Sequence, residues 1–299
     1  MIPFNKTFDF QYGKIERVAP MIRRVVARNP SPFTFHGTGT YIVGEGEVSV
    51  IDPGPDSSEH VDAVLDSMRD ETITHILITH THRDHSPASR ALQTECNAIS
   101  YGFGPHANGN CAIRDEVEEG ADWDFVPDVK LYDGDVVQGN GWSFECVHTP
   151  GHTSNHMCFQ LREQKALFCG DHVMGWSTSI ISPPDGNMTD YLESLEKLLP
   201  RDDSIYWPTH GAAIEDPKPF VRAYIDHRQR REKDIIQCLE RDIGFIRDMV
   251  PVMYHDLPGS MYPAAARSVF ATLLHLHQRG EVSCDSEPSL GSLYRCSKK

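Results

Sequence analysis

Residues 80–85 read His80-Thr81-His82-Arg83-Asp84-His85, four side chains able to bind a metal within six positions. Imidazole nitrogens and carboxylate oxygens are the usual donors for zinc and similar divalent ions. On a strand, His80, His82 and Asp84 share one face and His85 points away. On a helix, His82 and His85 meet but His80 and His82 do not. No single regular element aims all four at one ion, whereas a loop turning from a strand into a helix divides them between two. The apolar run Ile73-Thr74-His75-Ile76-Leu77-Ile78 supplies the strand, and the run after it is read as a polar surface loop. Ser86 and Pro87 read as the N-cap and first position of the helix.

Such a site needs further ligands from distant parts of the chain. Thr149-Pro150-Gly151-His152-Thr153 follows the strand-like Trp142-Ser143-Phe144-Glu145-Cys146-Val147. Cys169-Gly170-Asp171 follows Ala166-Leu167-Phe168, and Pro208-Thr209-His210-Gly211 follows Ile205-Tyr206-Trp207. Each places a His or Asp where an apolar strand ends, beside a Gly or Pro that turns the chain. Four strand ends meeting at one edge of a sheet make a metal site built from loops on a rigid scaffold.

This ordered set, His-x-His-x-Asp-His, then Gly-His, Gly-Asp and Thr-His-Gly, resembles the metallo-β-lactamase-fold superfamily of metal hydrolases over about residues 15–215. Gly37-Thr38-Gly39-Thr40-Tyr41-Ile42-Val43 and Val50-Ile51-Asp52-Pro53-Gly54 resemble its opening strands. The resemblance implies a mixed α/β (α+β) fold, a four-layer αβ/βα sandwich with the metals at one edge. It implies that His80, His82 and His152 hold the first metal, that Asp84, His85 and His210 hold the second, and that Asp171 bridges them. Ser86-Pro87-Ala88 stands where many members carry a Gly pair. The implied cofactors are two Zn2+ per chain, with Mn2+ or Fe2+ as substitutes.

Two close cations lower the pKa of a shared water, polarise the attacked carbonyl or phosphoryl group and stabilise the charge that builds on it. The expectation is a zinc-dependent hydrolase using metal-bound hydroxide. The catalytic carboxylates are Asp84 and Asp171, with Asp171 or a metal-bound water handling protons. No Gly-x-Ser-x-Gly element suggests a side-chain nucleophile. Candidate substrates are a phosphodiester, including single-stranded RNA, or a small-molecule ester, thioester or lactam, with a glyoxalase-II-like thioesterase as the leading alternative. A di-iron redox protein of the same fold is disfavoured, because that group carries Glu where this chain has His82 and pairs the domain with a flavin module. Asp52 reads equally as a turn former or as a carboxylate orienting a metal-bound histidine. His156 and His172 read as packing or hydrogen-bonding groups, and Trp176 with the loop 182–186 as a structural loop near the pocket. The other histidines, His106 among them, read as structural or solvent-facing.

The chain has 299 residues, 39% hydrophobic and 24% charged, in the range of a soluble globular protein. No apolar stretch reaches the length of a membrane span, and Met1-Ile2-Pro3-Phe4-Asn5-Lys6 is no secretory signal. A cytoplasmic protein without membrane contact is expected, a homodimer being compatible with it. The eight cysteines (96, 111, 146, 158, 169, 238, 284 and 296) lack Cys-x-x-Cys spacing and read as free thiols. The net charge of −15 argues against a protein that merely coats nucleic acid. Residues 222–299 hold 12 basic and 10 acidic residues, leaving 16 and 33 to the rest.

Helices are expected around 60–70, after Ser86, and over 191–199, where apolar residues fall at helical spacing before Pro200. Pro217-Lys218-Pro219 marks a boundary between a catalytic domain at 1–216 and a helical domain at 217–299. The latter holds helices over 220–239 and 264–279, Gly280 as a cap and a short wing strand at 281–284. It resembles the winged-helix-like C-terminal segment of the hydrolase branch that includes the mitochondrial β-lactamase-like endoribonuclease, as do Gly170-Asp171-His172-Val173-Met174-Gly175 and Asp190-Tyr191-Leu192.

Overall fold

The computed structural model describes residues 2–106 and 120–297. The chain first lays down β1 (Glu16–Ala19), β2 (Ile22–Val26), β3 (Gly39–Glu45) and β4 (Glu47–Ile51) as antiparallel neighbours. Helix α1 (Ser58–Ser67) then crosses over to β5 (Thr72–Leu77), parallel to β4, and α2 (Ser89–Cys96) to β6 (Ile99–Gly102), parallel to β5. A short β7 (Val129–Lys130) closes this seven-stranded sheet. The second sheet comprises β8 (Val136–Gly139), β9 (Trp142–His148), β10 (Met157–Leu161) and β11 (Ala166–Gly170). Helix α3 (Met188–Leu198) leads to its last strand, β12 (Ile205–Pro208), parallel to β11.

Period-2 alternation decides which residues fill which layer. Tyr41 and Val43 of β3 face the second sheet and meet Phe144, Phe159, Phe168 and Trp207. Ile42 between them faces outward and packs with Val61 and Val64 of α1 and Leu92 of α2. In the second sheet Val147, Cys158, Leu167 and Cys169 face Tyr191, Leu195 and Leu198 of α3. Three cores thus separate four layers, helix, sheet, sheet and helix, as the sandwich reading expects. The fully buried Phe168 lies between the sheets, where truncation to Ala costs about 3–5 kcal/mol.

Helix α4 (Pro217–Glu240) continues past the sandwich. Its Phe220, Val221 and Tyr224 join the core under α3. Its Ile235, Cys238 and Leu239 join a separate core with α5 (Ile246–Met253), α6 (Tyr262–Gln278) and the hairpin of β13 (Val282–Cys284) and β14 (Tyr294–Cys296). Gly280 ends α6 with φ +75°, the left-handed cap expected of it. No helix among the described residues is long and apolar enough to cross a membrane. The seven described cysteines are free, and Cys111 lies outside the described residues.

The expected start of α2 is corrected. The helix begins at Ser89 with Ala88 at its N-cap, not at Ser86-Pro87. The chain coils back first, with the His85 N–H donating to the His82 carbonyl (3.0 Å) and the Ser89 N–H to the Ser86 carbonyl (3.0 Å). The Ser86 hydroxyl is drawn instead to Asp122 (2.7 Å), which also pairs with Arg90.

Candidate metal centre

Strand direction brings the ligand candidates together. β4 and β5 run parallel, so Asp52 and the 80–85 run leave the same edge of the first sheet. β9 and β11 both run antiparallel to β10, and β12 runs parallel to β11. His152, Asp171 and His210 therefore follow strand ends at one edge of the second sheet. Two glycines make the close approaches there. Gly151 (φ +134°) passes so near α3 that an added Cβ would lie 2.3 Å from the Tyr191 backbone. Gly170 (φ +52°) turns the chain into Asp171 against His156, where a Cβ would lie 2.6 Å from its ring.

All seven candidates converge. Donor atoms of His80, His82 and His152 lie within 4.8 Å of one another, as do those of Asp84, His85 and His210, and those of His80, His85 and Asp171. His82 Nδ1 is 2.9 Å from His80 Nε2 and 3.1 Å from His152 Nε2. Asp171 Oδ2 lies 3.3 Å from His210 Nε2, 3.6 Å from His85 Nε2 and 4.0 Å from His152 Nε2, within reach of both groups. Asp84 Oδ2 lies 3.1 Å from His210 and 3.3 Å from His85. The surface-loop reading of residues 80–85 is corrected, since every histidine of the run is buried. Asp84 is the most exposed of the seven at 16% and marks the open side.

The ring orientations follow from what each histidine touches behind the centre. His152 Nδ1–H donates to the Ile180 carbonyl (2.6 Å), His210 Nδ1–H to the Gly37 carbonyl (3.1 Å) and His85 Nδ1–H to Asp52 (2.9 Å). These acceptors carry no proton, so Nδ1 holds the hydrogen and Nε2 turns its lone pair inward. Asp52 also accepts from the Thr79 N–H (2.8 Å), the Thr79 hydroxyl (2.7 Å) and the Thr209 hydroxyl (2.9 Å). The Thr79 hydroxyl, committed to Asp52, accepts from His80 Nδ1 (3.1 Å). Of its two readings Asp52 therefore takes the second: it orients His85 directly and His80 through Thr79.

Electrostatics divide the cluster. Burial holds His80 and His82 well below the usual imidazole range, and the neighbouring histidines add to this. Burial lowers His152 too, against the pull of Asp171. Burial would also lower His85, but Asp84, Asp171 and Asp52 outweigh it and hold His85 well above its usual range. His210 is pushed up to about 10, because Asp171 and Asp84 overcome burial in the same way. Burial alone would raise Asp84 and Asp171, but His85 and His210 overcome it and hold both well below the carboxylate range. The donor set fits divalent cations. Five imidazoles and two carboxylates point inward, and His85 Nε2 and Asp171 Oδ1 are buried with no hydrogen-bond partner among the described residues.

His156 hydrogen-bonds the Thr149 hydroxyl (2.9 Å) and accepts from the Asp171 N–H (3.3 Å), and His172 packs on Tyr191, so both fill the supporting roles expected. Trp176 stacks on Phe35 and covers Gly211, beside His210. His106, which the sequence offers only as a structural or solvent-facing histidine, lies close to the centre. It is buried, bonds the Thr81 hydroxyl (3.0 Å) and lies 3.8 Å from Asp185 of the 182–186 loop. Nothing in its local sequence distinguishes it; only the fold brings it beside His82.

Comparison with known proteins adds to this geometry. The family model described as Metallo-beta-lactamase superfamily matches residues 34–210, and that of the Beta-lactamase associated winged helix domain matches residues 246–289. A Beta-lactamase-like protein 2 homolog of Caenorhabditis elegans is 31% identical over 274 residues, covering 90% of this chain and 88% of that one. An Atrochrysone carboxyl ACP thioesterase of Aspergillus terreus is 31% identical over 248 residues, covering 80% and 71%. A solved Beta-lactamase domain protein from Burkholderia ambifaria superposes with a TM-score of 0.79 at 20% identity, covering 97% of this chain and 96% of that one.

Proposed function

This chain belongs to the metallo-β-lactamase superfamily, and from that premise we propose that it is a dinuclear metal hydrolase acting on an acyl thioester. The observation that carries the hydrolase reading is the meeting of His80, His82, Asp84, His85, His152, Asp171 and His210 at one sheet edge. In this reading His80, His82 and His152 would hold one cation, Asp84, His85 and His210 would hold the other, and Asp171 would serve both. Zn2+ suits such nitrogen and oxygen donors, as do Mn2+ and Fe2+. When bound, the pair supplies Lewis acidity and an ionised water near neutral pH.

The remaining tasks fall to the chain itself. Asp52 and the Ile180 and Gly37 carbonyls keep the imidazoles aimed. Asp84 stands at the open side, while the buried Asp171 spans both halves. The thioester choice rests on the acyl-thioesterase relative and on the net charge of −15, which opposes a polyanionic substrate. A second reading, hydrolysis of single-stranded RNA, is favoured by the winged-helix match and by the near-neutral charge of residues 222–299. The division into units at 1–216 and 217–299 belongs to this proposal; α4 begins at that boundary and packs its first half on the sandwich and its second on the C-terminal core. So does a cytoplasmic location, supported by the seven free thiols.

The test is a panel of an acyl-carrier thioester, a glutathione thioester, single-stranded RNA and a chromogenic lactam, each with His82→Ala beside the wild type. The thioester reading expects metal-dependent turnover of a thioester and its loss in the variant. Faster cleavage of RNA than of either thioester selects the second reading. Equal rates for variant and wild type on every substrate exclude both.

A further inference from the structure

Behind the centre, one cation reaches in from the C-terminal half of the chain. Arg228 lies on α4 and is only 5% exposed. Its guanidinium donates to the Ser179 carbonyl and sits over the Tyr191 ring, 5.0 Å from the centroid. Among the described residues no carboxylate lies within ion-pair distance of it. A buried guanidinium that meets a carbonyl and the Tyr191 ring, with no carboxylate beside it among the described residues, is costly to desolvate, which draws attention to the segment it grips.

That segment touches both halves of the centre. The Ser179 hydroxyl donates to the Asp171 carbonyl (2.6 Å), shared with the His172 carbonyl (3.0 Å). The next residue, Ile180, offers the carbonyl that accepts from His152 Nδ1. The Ser179 carbonyl belongs to the planar peptide that joins these two residues, so gripping it restrains both contacts. The Tyr191 hydroxyl, on the ring that Arg228 covers, donates to the His172 carbonyl (2.8 Å) and braces the same turn.

We propose that Arg228 is a positioning residue for the metal centre: from α4 it fixes the Ser179–Ile180 segment, and through it the backbone of Asp171 and the ring of His152. The proposal rests on the metal reading above. It assigns α4 a task beyond packing, since a residue outside the ligand-bearing strands sets the aim of two ligands. Lysine can donate to the Ser179 carbonyl but cannot lay a planar guanidinium over the Tyr191 ring, and so restores the grip only in part.

The experiment compares cobalt(II) binding and the ligand-field spectrum of the full chain as wild type, Arg228→Met, Arg228→Lys and Ser179→Ala. Loss of a partner behind a metal ligand typically weakens metal binding about 10–100-fold. Arg228→Met is expected to weaken one of the two cobalt ions by that factor and to shift its spectrum, with kcat reduced and KM nearly unchanged. Arg228→Lys should recover part of the loss. Ser179→Ala should act in the same direction, and the Arg228→Met/Ser179→Ala double variant should lose less than the two single losses combined. Affinities within about twofold of wild type and an unshifted spectrum in Arg228→Met overturn the proposal. If that variant does not fold, the same result in Ser179→Ala overturns it. A wild type that binds no cobalt sinks the metal reading itself; a wild type that binds two, with unaltered variants, sinks only this inference.

Discussion

His80, His82 and His152 meet as three imidazoles, whereas Asp84, His85 and His210 meet as two imidazoles and a carboxylate, with Asp171 in reach of both groups. In the first group burial keeps the rings neutral, and the aim of His80 and His152 is set by the Thr79 hydroxyl and the Ile180 carbonyl. In the second group carboxylates overcome burial and raise both imidazoles. One half thus gathers neutral rings, whereas the imidazoles of the other hold protons that a cation would have to displace. Asp52 joins the two, gripping His85 directly and His80 through Thr79.

Substitutions can separate these halves. The largest effect is expected for Asp171→Ala, which removes the shared carboxylate. Metal content should fall in both halves, and hydrolysis by well over the ~100-fold that follows loss of an outer partner. His82→Ala and Asp84→Ala should each leave one metal of two, with activity also reduced more than about 100-fold. If either variant loses both metals, the halves are not separable. Asp52→Ala should weaken metal binding about 10–100-fold, more for the half containing His85 than for the half it reaches only through Thr79; equal losses break that ranking. Chelator competition of each variant reads all of these.

His60 offers the smallest perturbation at neutral pH. It is buried behind the carboxylate half, hydrogen-bonded to the Thr40 hydroxyl (2.8 Å), and burial pushes it down to about 4. The unfolded chain then binds more protons between about pH 6.5 and 4, so this contribution to stability is lost as pH falls through that window, by at most about 3 kcal/mol. Chemical denaturation of His60→Gln against wild type checks it: the variant should show a shallower fall below pH 6.5 and unchanged metal binding at pH 7.5.

Each donor candidate is legible in the sequence because it lies just after an apolar run that reads as a strand, whereas the layered sandwich is legible only through the resemblance to the family. The role of Asp52 is only half legible: the sequence leaves two readings even, because the choice depends on Thr79, 27 positions away, and Thr209, 157 away. The start of α2 was misplaced for a related reason: Ser86 is a good cap in isolation, but Asp122 claims its hydroxyl. His106 and Arg228 gave no local signal, since their partners Thr81 and Ser179 are neighbours only in the folded chain.

Two cations per chain serving hydrolysis are checked by metal content measured beside rate. Protein purified without chelator is assayed by mass spectrometry for bound metal and for turnover of the substrate panel, before and after chelation and after return of Zn2+. Two ions per chain are expected, with activity lost on their removal and restored on their return. Less than one ion per chain, with turnover indifferent to chelation, would contradict this.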